Sequence, residues 1–179
     1  MGNRQLNSNR GCKNSTVSQG LVLRWEPSYN PKVQIFTIGH SSRSFEEFTQ
    51  LLQEHDIERL VDVRSFPSSR KFPHFSKDTL SDALLKIDIS HYHLRALGGY
   101  RKSHLKDSPN QSPGFRAYAD HMLTEKFHQG LDTLIGIASE ARTTIMCAEA
   151  IPQKCHRQLI SDALVGLRSI SVVHIVPGA

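Results

Sequence analysis

Val33-Gln34-Ile35-Phe36-Thr37-Ile38-Gly39-His40-Ser41-Ser42-Arg43-Ser44-Phe45-Glu46-Glu47-Phe48 is the stretch whose reading decides the fold. Its first part is a short, nearly continuous apolar run rich in β-branched and aromatic residues, as in a strand buried on both faces. Gly39-His40-Ser41-Ser42 breaks that run. Ser44 followed by Glu47 is a capping box: the hydroxyl accepts from the backbone N–H of the third helical residue, and the carboxylate accepts from the cap's own N–H. Phe45, Phe48, Leu51 and Leu52 then recur at helical spacing and predict one apolar helix face. Ile57 to Val63 returns to a β-branched apolar run. Strand, turn, helix and strand in succession form a βαβ unit, whose two strands are parallel.

The same alternation continues outward from this unit. A long loop runs from Phe66 to Ser76, and Ser76 predicts the cap of a second helix reaching Ile87, with Leu80, Leu84 and Leu85 inward. Ile89 to Leu94 reads as a third strand leading into Leu97-Gly98-Gly99-Tyr100. Arg101 to Pro113 is polar and loop-like. Phe115 to Leu123 and Glu125 to Ser139 read as consecutive helices with Thr124 capping the second. Phe115, Tyr118, Ala119, Met122 and Leu123 line one apolar face, and Phe127, Leu131, Leu134 and Ile135 line another. Thr143 to Cys147 is a strand, Cys155 to Leu167 a helix, and Val172 to Val176 the last strand. The order βαβαβ-αα-βαβ predicts an α/β fold: a single domain over 33–179, with a mostly parallel sheet of about five strands and helices on both faces.

Residues 1–32 are rich in Asn, Ser, Gly and Gln and have no acid before Glu26. Such a segment buries too little apolar area to offset its ordering entropy, so a flexible N-terminal tail is expected. The 179-residue chain carries a formal charge of +5, which favours anionic partners, either an anionic small molecule or nucleic acid. Three cysteines form no disulfide framework and point to a reducing, cytoplasmic setting. No apolar run approaches the roughly 20 residues that span a bilayer, so no membrane partner is expected. The sequence assigns no cofactor and no oligomeric state.

In open parallel sheets, ligands bind beyond the carboxyl ends of the strands. Gly39-His40-Ser41 follows the first strand, Asp62, Arg64 and Ser65 end the second, Gly98-Gly99 follows the third, and Cys147 and Glu149 end the fourth. Four turns thus bring reactive residue types to one predicted edge. The densest is Met146-Cys147-Ala148-Glu149-Ala150-Ile151-Pro152-Gln153-Lys154-Cys155-His156-Arg157. Cys155 opens a helix, where unpaired backbone N–H groups and the dipole favour a thiolate. His156 and Arg157 beside it suit anion binding. A Glu149 desolvated in the crevice would serve as acid or base, as would His40, with Asp62 orienting a partner. Alternation along the fourth strand puts Ile145 and Cys147 on one face and Met146 on the other, which draws Cys147 toward the core. In the loop from Ser65 to Phe75, Arg70 and Lys71 are interleaved with three phenylalanines, a pattern suited to phosphates and stacked bases. Cys147, Cys155 and His156, with His40, are also metal-ligand types. Their spacing matches no standard zinc knuckle, and no metal ligand is assigned.

Thr37-Ile38-Gly39-His40-Ser41, Asp62-Val63-Arg64-Ser65-x-Pro67, Leu97-Gly98-Gly99, Phe115-Arg116-x-Tyr118-Ala119 and Met146-Cys147-Ala148-Glu149-x-x-Pro152-x-x-Cys155-His156-Arg157 occur in this order. Together they resemble the domain-of-unknown-function 488 family over about Val33 to Ile175. The resemblance implies a compact α/β domain with the motif residues gathered in one cleft, and it brings no assigned reaction. The expected function is an enzyme, a transferase or hydrolase, acting on a phosphorylated or nucleic-acid substrate. Glu149, Cys155, His40 and Asp62 would carry the chemistry. Gly39, Ser41, Arg64, Ser65, Gly98, Gly99, His156, Arg157, Arg70 and Lys71 would bind. The alternatives are a non-catalytic nucleic-acid-binding module and a metal-binding or thiol redox protein using Cys147, Cys155 and His156.

Overall fold

A computed structural model describes residues 33–100 and 113–176. The expected tail and most of the polar segment after Arg101 lie outside the described residues. Five strands alternate with helices: β1 (Gln34–Gly39), α1 (Phe45–Glu54), β2 (Arg59–Asp62), α2 (Lys77–Leu85), β3 (Ser90–His93), α3 (Pro113–Met122), α4 (Glu125–Glu140), β4 (Thr143–Cys147), α5 (His156–Arg168) and β5 (Ser171–His174). They build one all-parallel sheet in the order β3-β2-β4-β1-β5. The α/β reading from the sequence holds.

The local signals act as expected. Ser44 Oγ accepts from Glu47 N at 3.1 Å while Ser44 N donates to Glu47 Oε2 at 2.9 Å, closing the capping box at α1. Thr124 Oγ1 accepts from Phe127 N at the start of α4. Ser76 stands at the N-cap of α2 but makes no side-chain cap bond. Its hydroxyl instead accepts from Ser69 N and fastens the preceding loop.

Two apolar layers sandwich the sheet. Phe48 and Leu52 of α1 and Leu80 and Leu84 of α2 pack with Phe36, Ile38, Leu60 and Met146. On the other face Tyr118, Phe127, Leu131, Leu134, Ile160 and Leu164 pack with Ile35, Val61, Ile145 and Cys147. Adjacent β4 side chains therefore point to opposite layers, as the strand alternation predicts. Three inward expectations are corrected. Leu85 is 72% exposed because it ends α2, about 100° around the helix from buried Leu84. Leu123 is 84% exposed just past the end of α3, and Ala119 is exposed while Ala117 is buried.

Strand order sets the position of the site. β1 and β4 are neighbours, with Gly39 opposite Cys147, and β2 lies beyond β4, with Asp62 opposite Met146. His93 of β3 pairs with Asp62. Parallel pairing brings all these carboxyl ends to one edge. Backbone bonds continue past the strand ends, from His40 N to Cys147 O at 2.9 Å and from Ser41 N to Ala148 O at 3.0 Å.

Candidate active site

A cleft of about 860 Å³ opens at this edge. Its walls include His40, Ser41, Arg64, Ser65, Lys71, Phe72, Gly99, Glu149, Cys155 and His156, so most of the residues singled out in the sequence meet there. Gly39, Asp62, Gly98, Arg157 and Arg70 do not line it.

The thiol group is the chemical centre. Cys155 is the N-cap of α5, and its sulfur accepts from Arg157 N at 3.4 Å. Cys147 Sγ lies 2.6 Å from Cys155 Sγ, and His156 Nδ1 lies 3.5 Å from it. His156 Nε2 sits 3.0 Å from the Val63 carbonyl oxygen, which can only accept. The Nε2 proton is therefore fixed there, and Nδ1 faces the Cys155 sulfur, placed to take the thiol proton and donate it back to the thiolate. The bond from Cys147, the His156 imidazole and the Arg157 backbone N–H together draw the Cys155 thiol well below the ordinary thiol range, against the effect of burial. Cys147 moves the opposite way, raised by its bond to Cys155 and by burial. The pair is best described as a Cys155 thiolate accepting from a Cys147 thiol. The sequence drew Cys147 toward the core. It packs there, but its sulfur also joins the site.

His40, Asp62 and Arg64 form a second, buried group. Arg64 donates through Nε and Nη2 to both oxygens of the fully buried Asp62, at 2.6 to 3.0 Å, and through Nη2 to Phe75 O at 2.8 Å. His40 Nδ1 donates to Ser41 O at 3.0 Å, which leaves Nε2 to accept from Arg64 Nη1 at 3.3 Å. The His40 ring also stacks on Phe75 with centroids 4.3 Å apart. Burial, followed by the neighbouring Arg64 charge, lowers the His40 pKa from 6.5 to about 4. A neutral imidazole whose free lone pair is already engaged is poorly suited to acid–base work and well suited to shaping the cleft wall. Asp62 does orient a partner, and that partner is Arg64.

Two further expectations change in the fold. Arg157 is completely buried and donates to Glu149 O at 2.6 Å, Ala150 O at 3.2 Å and Thr37 Oγ1 at 3.3 Å. Its guanidinium fastens the turn after β4 to β1 and offers no open anion site. Glu149 lines the cleft but is exposed, and its Oε1 accepts from Ala150 N at 2.9 Å and from Ile151 N at 3.5 Å. The desolvation expected for this carboxylate is absent.

The glycines act through close approach. A Cβ on Gly39 would stand 1.8 Å from Glu149 O, one on Gly98 would stand 2.5 Å from Ser65 Oγ, and one on Gly99 would stand 2.4 Å from His156 Nδ1. Gly99 thus leaves the space that His156 occupies beside Cys155. In the loop after β2, Phe75 is buried, Phe72 half-buried and Phe66 exposed, and Lys71 Nζ lies 5.3 Å from the Phe72 ring centroid. Arg70 is exposed and apart from the cleft.

The family model described as Domain of unknown function DUF488 matches residues 44–164. The chain belongs to this family. Neither the curated proteins nor the solved structures give a match. The matched stretch of this DUF488 domain holds four of the five motifs, and Thr37 to Ser41 stands just before it. Sequence reasoning gave Lys154 no role and placed Tyr118 only on an apolar helix face, yet both line the cleft. The Tyr118 ring centroid is 5.4 Å from that of His156, and its hydroxyl donates to Leu97 O at 2.8 Å. Tyr118 belonged to a motif whose helical spacing reads equally as core. Lys154 stood inside the quoted Cys147–Arg157 stretch, where nothing in the spacing separates a cleft lysine from a solvated one. Among the described residues, no helix is long and apolar enough to cross a membrane.

Proposed function

We propose that this DUF488 domain is a thiol-dependent enzyme, a transferase or hydrolase, with Cys155 as nucleophile, acting on a phosphorylated or nucleic-acid substrate held in the cleft. The observation that carries the reading is the Cys155 sulfur at the first turn of α5, which faces His156 Nδ1 and opens onto the cleft. This is the nucleophile–base–orienter arrangement of covalent catalysis, with the Val63 carbonyl as orienter. Cys155 as thiolate attacks the electrophilic centre of the substrate, and the bond to the leaving group breaks. His156, which took the Cys155 proton at Nδ1, returns it to that group. Water or an acceptor then takes the transferred group from sulfur. Lys71 and Lys154 at the cleft mouth supply positive charge for a phosphate, and Phe66, Phe72 and Tyr100 supply faces for a ring.

A metal reading uses the same atoms, since ligand atoms of Cys147, Cys155 and His156 lie within 4.8 Å of one another. Two thiolates on one tetrahedral zinc would sit roughly 3.8 Å apart at Zn–S distances of about 2.3 Å. The sulfurs here are 2.6 Å apart, so a metal would need them to part by about 1 Å.

Alkylation with iodoacetamide, followed residue by residue by mass spectrometry, tests the proposal. Cys155 should react already at about pH 6, where an ordinary thiol is almost fully protonated. A nucleoside monophosphate or a single-stranded oligonucleotide should slow the reaction. A Cys155 that reacts only near about pH 8.5, or one protected by neither probe nor by inorganic phosphate, would overturn it.

A further inference from the structure

We propose that Cys147 and Cys155 form a reversible disulfide, with Cys155 as the thiol attacked by a hydroperoxide and Cys147 as the resolving thiol. The two come from different elements, the end of β4 and the cap of α5, and a single turn brings them together. Their sulfurs are 2.6 Å apart, so closing by about half an ångström reaches the disulfide bond length. Neither is bonded to another cysteine, and both line the cleft, which gives a small oxidant a path to otherwise buried sulfurs.

The two thiols are not equivalent. Cys155 has the helix N-terminus, the Arg157 N–H and the His156 ring around its sulfur, whereas Cys147 sits deeper and keeps its proton for its neighbour. Sulfur oxidation follows thiolate character and access, so Cys155 reacts first. Its thiolate attacks the terminal hydroxyl oxygen of ROOH. The O–O bond breaks, RO⁻ leaves and takes a proton from water, and Cys155 becomes a sulfenic acid. Cys147 then attacks that sulfur. The S–OH bond breaks, the S–S bond forms, and hydroxide departs with the Cys147 proton as water. Sulfur loses two electrons overall and the peroxide gains them. A small dithiol reverses the change by thiol–disulfide exchange.

The consequence is a lock on the site. In the disulfide form Cys155 has no thiolate to offer, so whatever chemistry the cleft performs stops until a reductant restores it. The disulfide needs only the sulfur geometry and not the enzymatic reading, so its test stands apart from any activity.

The full chain, reduced and freed of reductant, is treated with one equivalent of hydrogen peroxide at neutral pH. It is then denatured, labelled with N-ethylmaleimide and weighed. The reduced chain takes a label on each of its three cysteines, Cys12, Cys147 and Cys155. The treated chain should take one, on Cys12, and dithiothreitol should restore the rest. Trypsin cuts after Lys154, so the disulfide should appear as two linked peptides carrying Cys147 and Cys155. Cys147→Ser should leave a Cys155 sulfenic acid that dimedone traps. Full labelling of the parent chain after peroxide, or a link through Cys12, would overturn the proposal. The parent chain alone decides, so the outcome holds even if the serine variant fails to fold.

Discussion

Replacing Arg64 with methionine isolates the energetics of the buried wall of the cleft. Asp62 is fully buried, and its carboxylate receives three contacts from the Arg64 side chain, at 2.9, 3.0 and 2.6 Å. Arg64→Met removes all three and strands a charge, and breaking a buried pair by removing one partner costs about 3–5 kcal/mol. Asp62 Oδ1 keeps the backbone N–H of residue 64 at 2.9 Å, which pulls the cost toward the lower end. Phe75 O loses its donor at 2.8 Å, which adds about 1 kcal/mol. The expected loss is about 4 kcal/mol, a large part of a typical 5–15 kcal/mol domain stability. With a urea m-value of about 2 kcal/mol/M, the unfolding midpoint at pH 7 should fall by about 2 M. The double variant Asp62→Leu with Arg64→Met removes both charges and should recover much of that loss. A single-variant midpoint within about 0.5 M of the parent would refute the buried pair, because that shift corresponds to about 1 kcal/mol.

Three other outcomes follow from the same geometry. His40 has a folded pKa of about 4 against 6.5 for the free group, so the unfolded chain takes up the proton first as pH falls. Its contribution is complete above about pH 6.5 and disappears toward pH 4, an upper figure of about 3 kcal/mol. Urea midpoints measured between those pH values should drop for the parent and drop less for His40→Gln, and parallel curves would count against it. Gly39→Ala puts a methyl group 1.8 Å from Glu149 O, a backbone atom that cannot turn aside, and should cost at least about 3 kcal/mol in thermal unfolding. Gly136→Ala meets nothing within 4 Å on the exposed side of α4 and should raise stability by about 0.5–1 kcal/mol, and a loss there would show that the α4 surface is not free.

Features that depend on near neighbours in the chain can be read along the sequence. Apolar runs and helical spacing set the alternation of strands and helices, because burial on one stripe or on both faces imposes those periods. Ser44 with Glu47 capped α1, and the period of two along β4 put Met146 and Cys147 in opposite layers. The edge where the motifs gather was also legible, since in a parallel sheet every strand delivers its following turn to the same side.

Which groups are used up and which stay available depends on how distant segments pack together. The order β3-β2-β4-β1-β5 is not encoded in any one segment, yet it sets Gly39 beside Cys147 and Asp62 beside Met146. Arg157 looked like an anion binder until the fold surrounded it with the carbonyls of Glu149 and Ala150. Glu149 looked like a buried acid until its turn faced solvent. Cys147 looked like core until α5 brought Cys155 to 2.6 Å. Solvation and pKa depend on distances between atoms far apart in sequence, and spacing along the chain does not contain those distances.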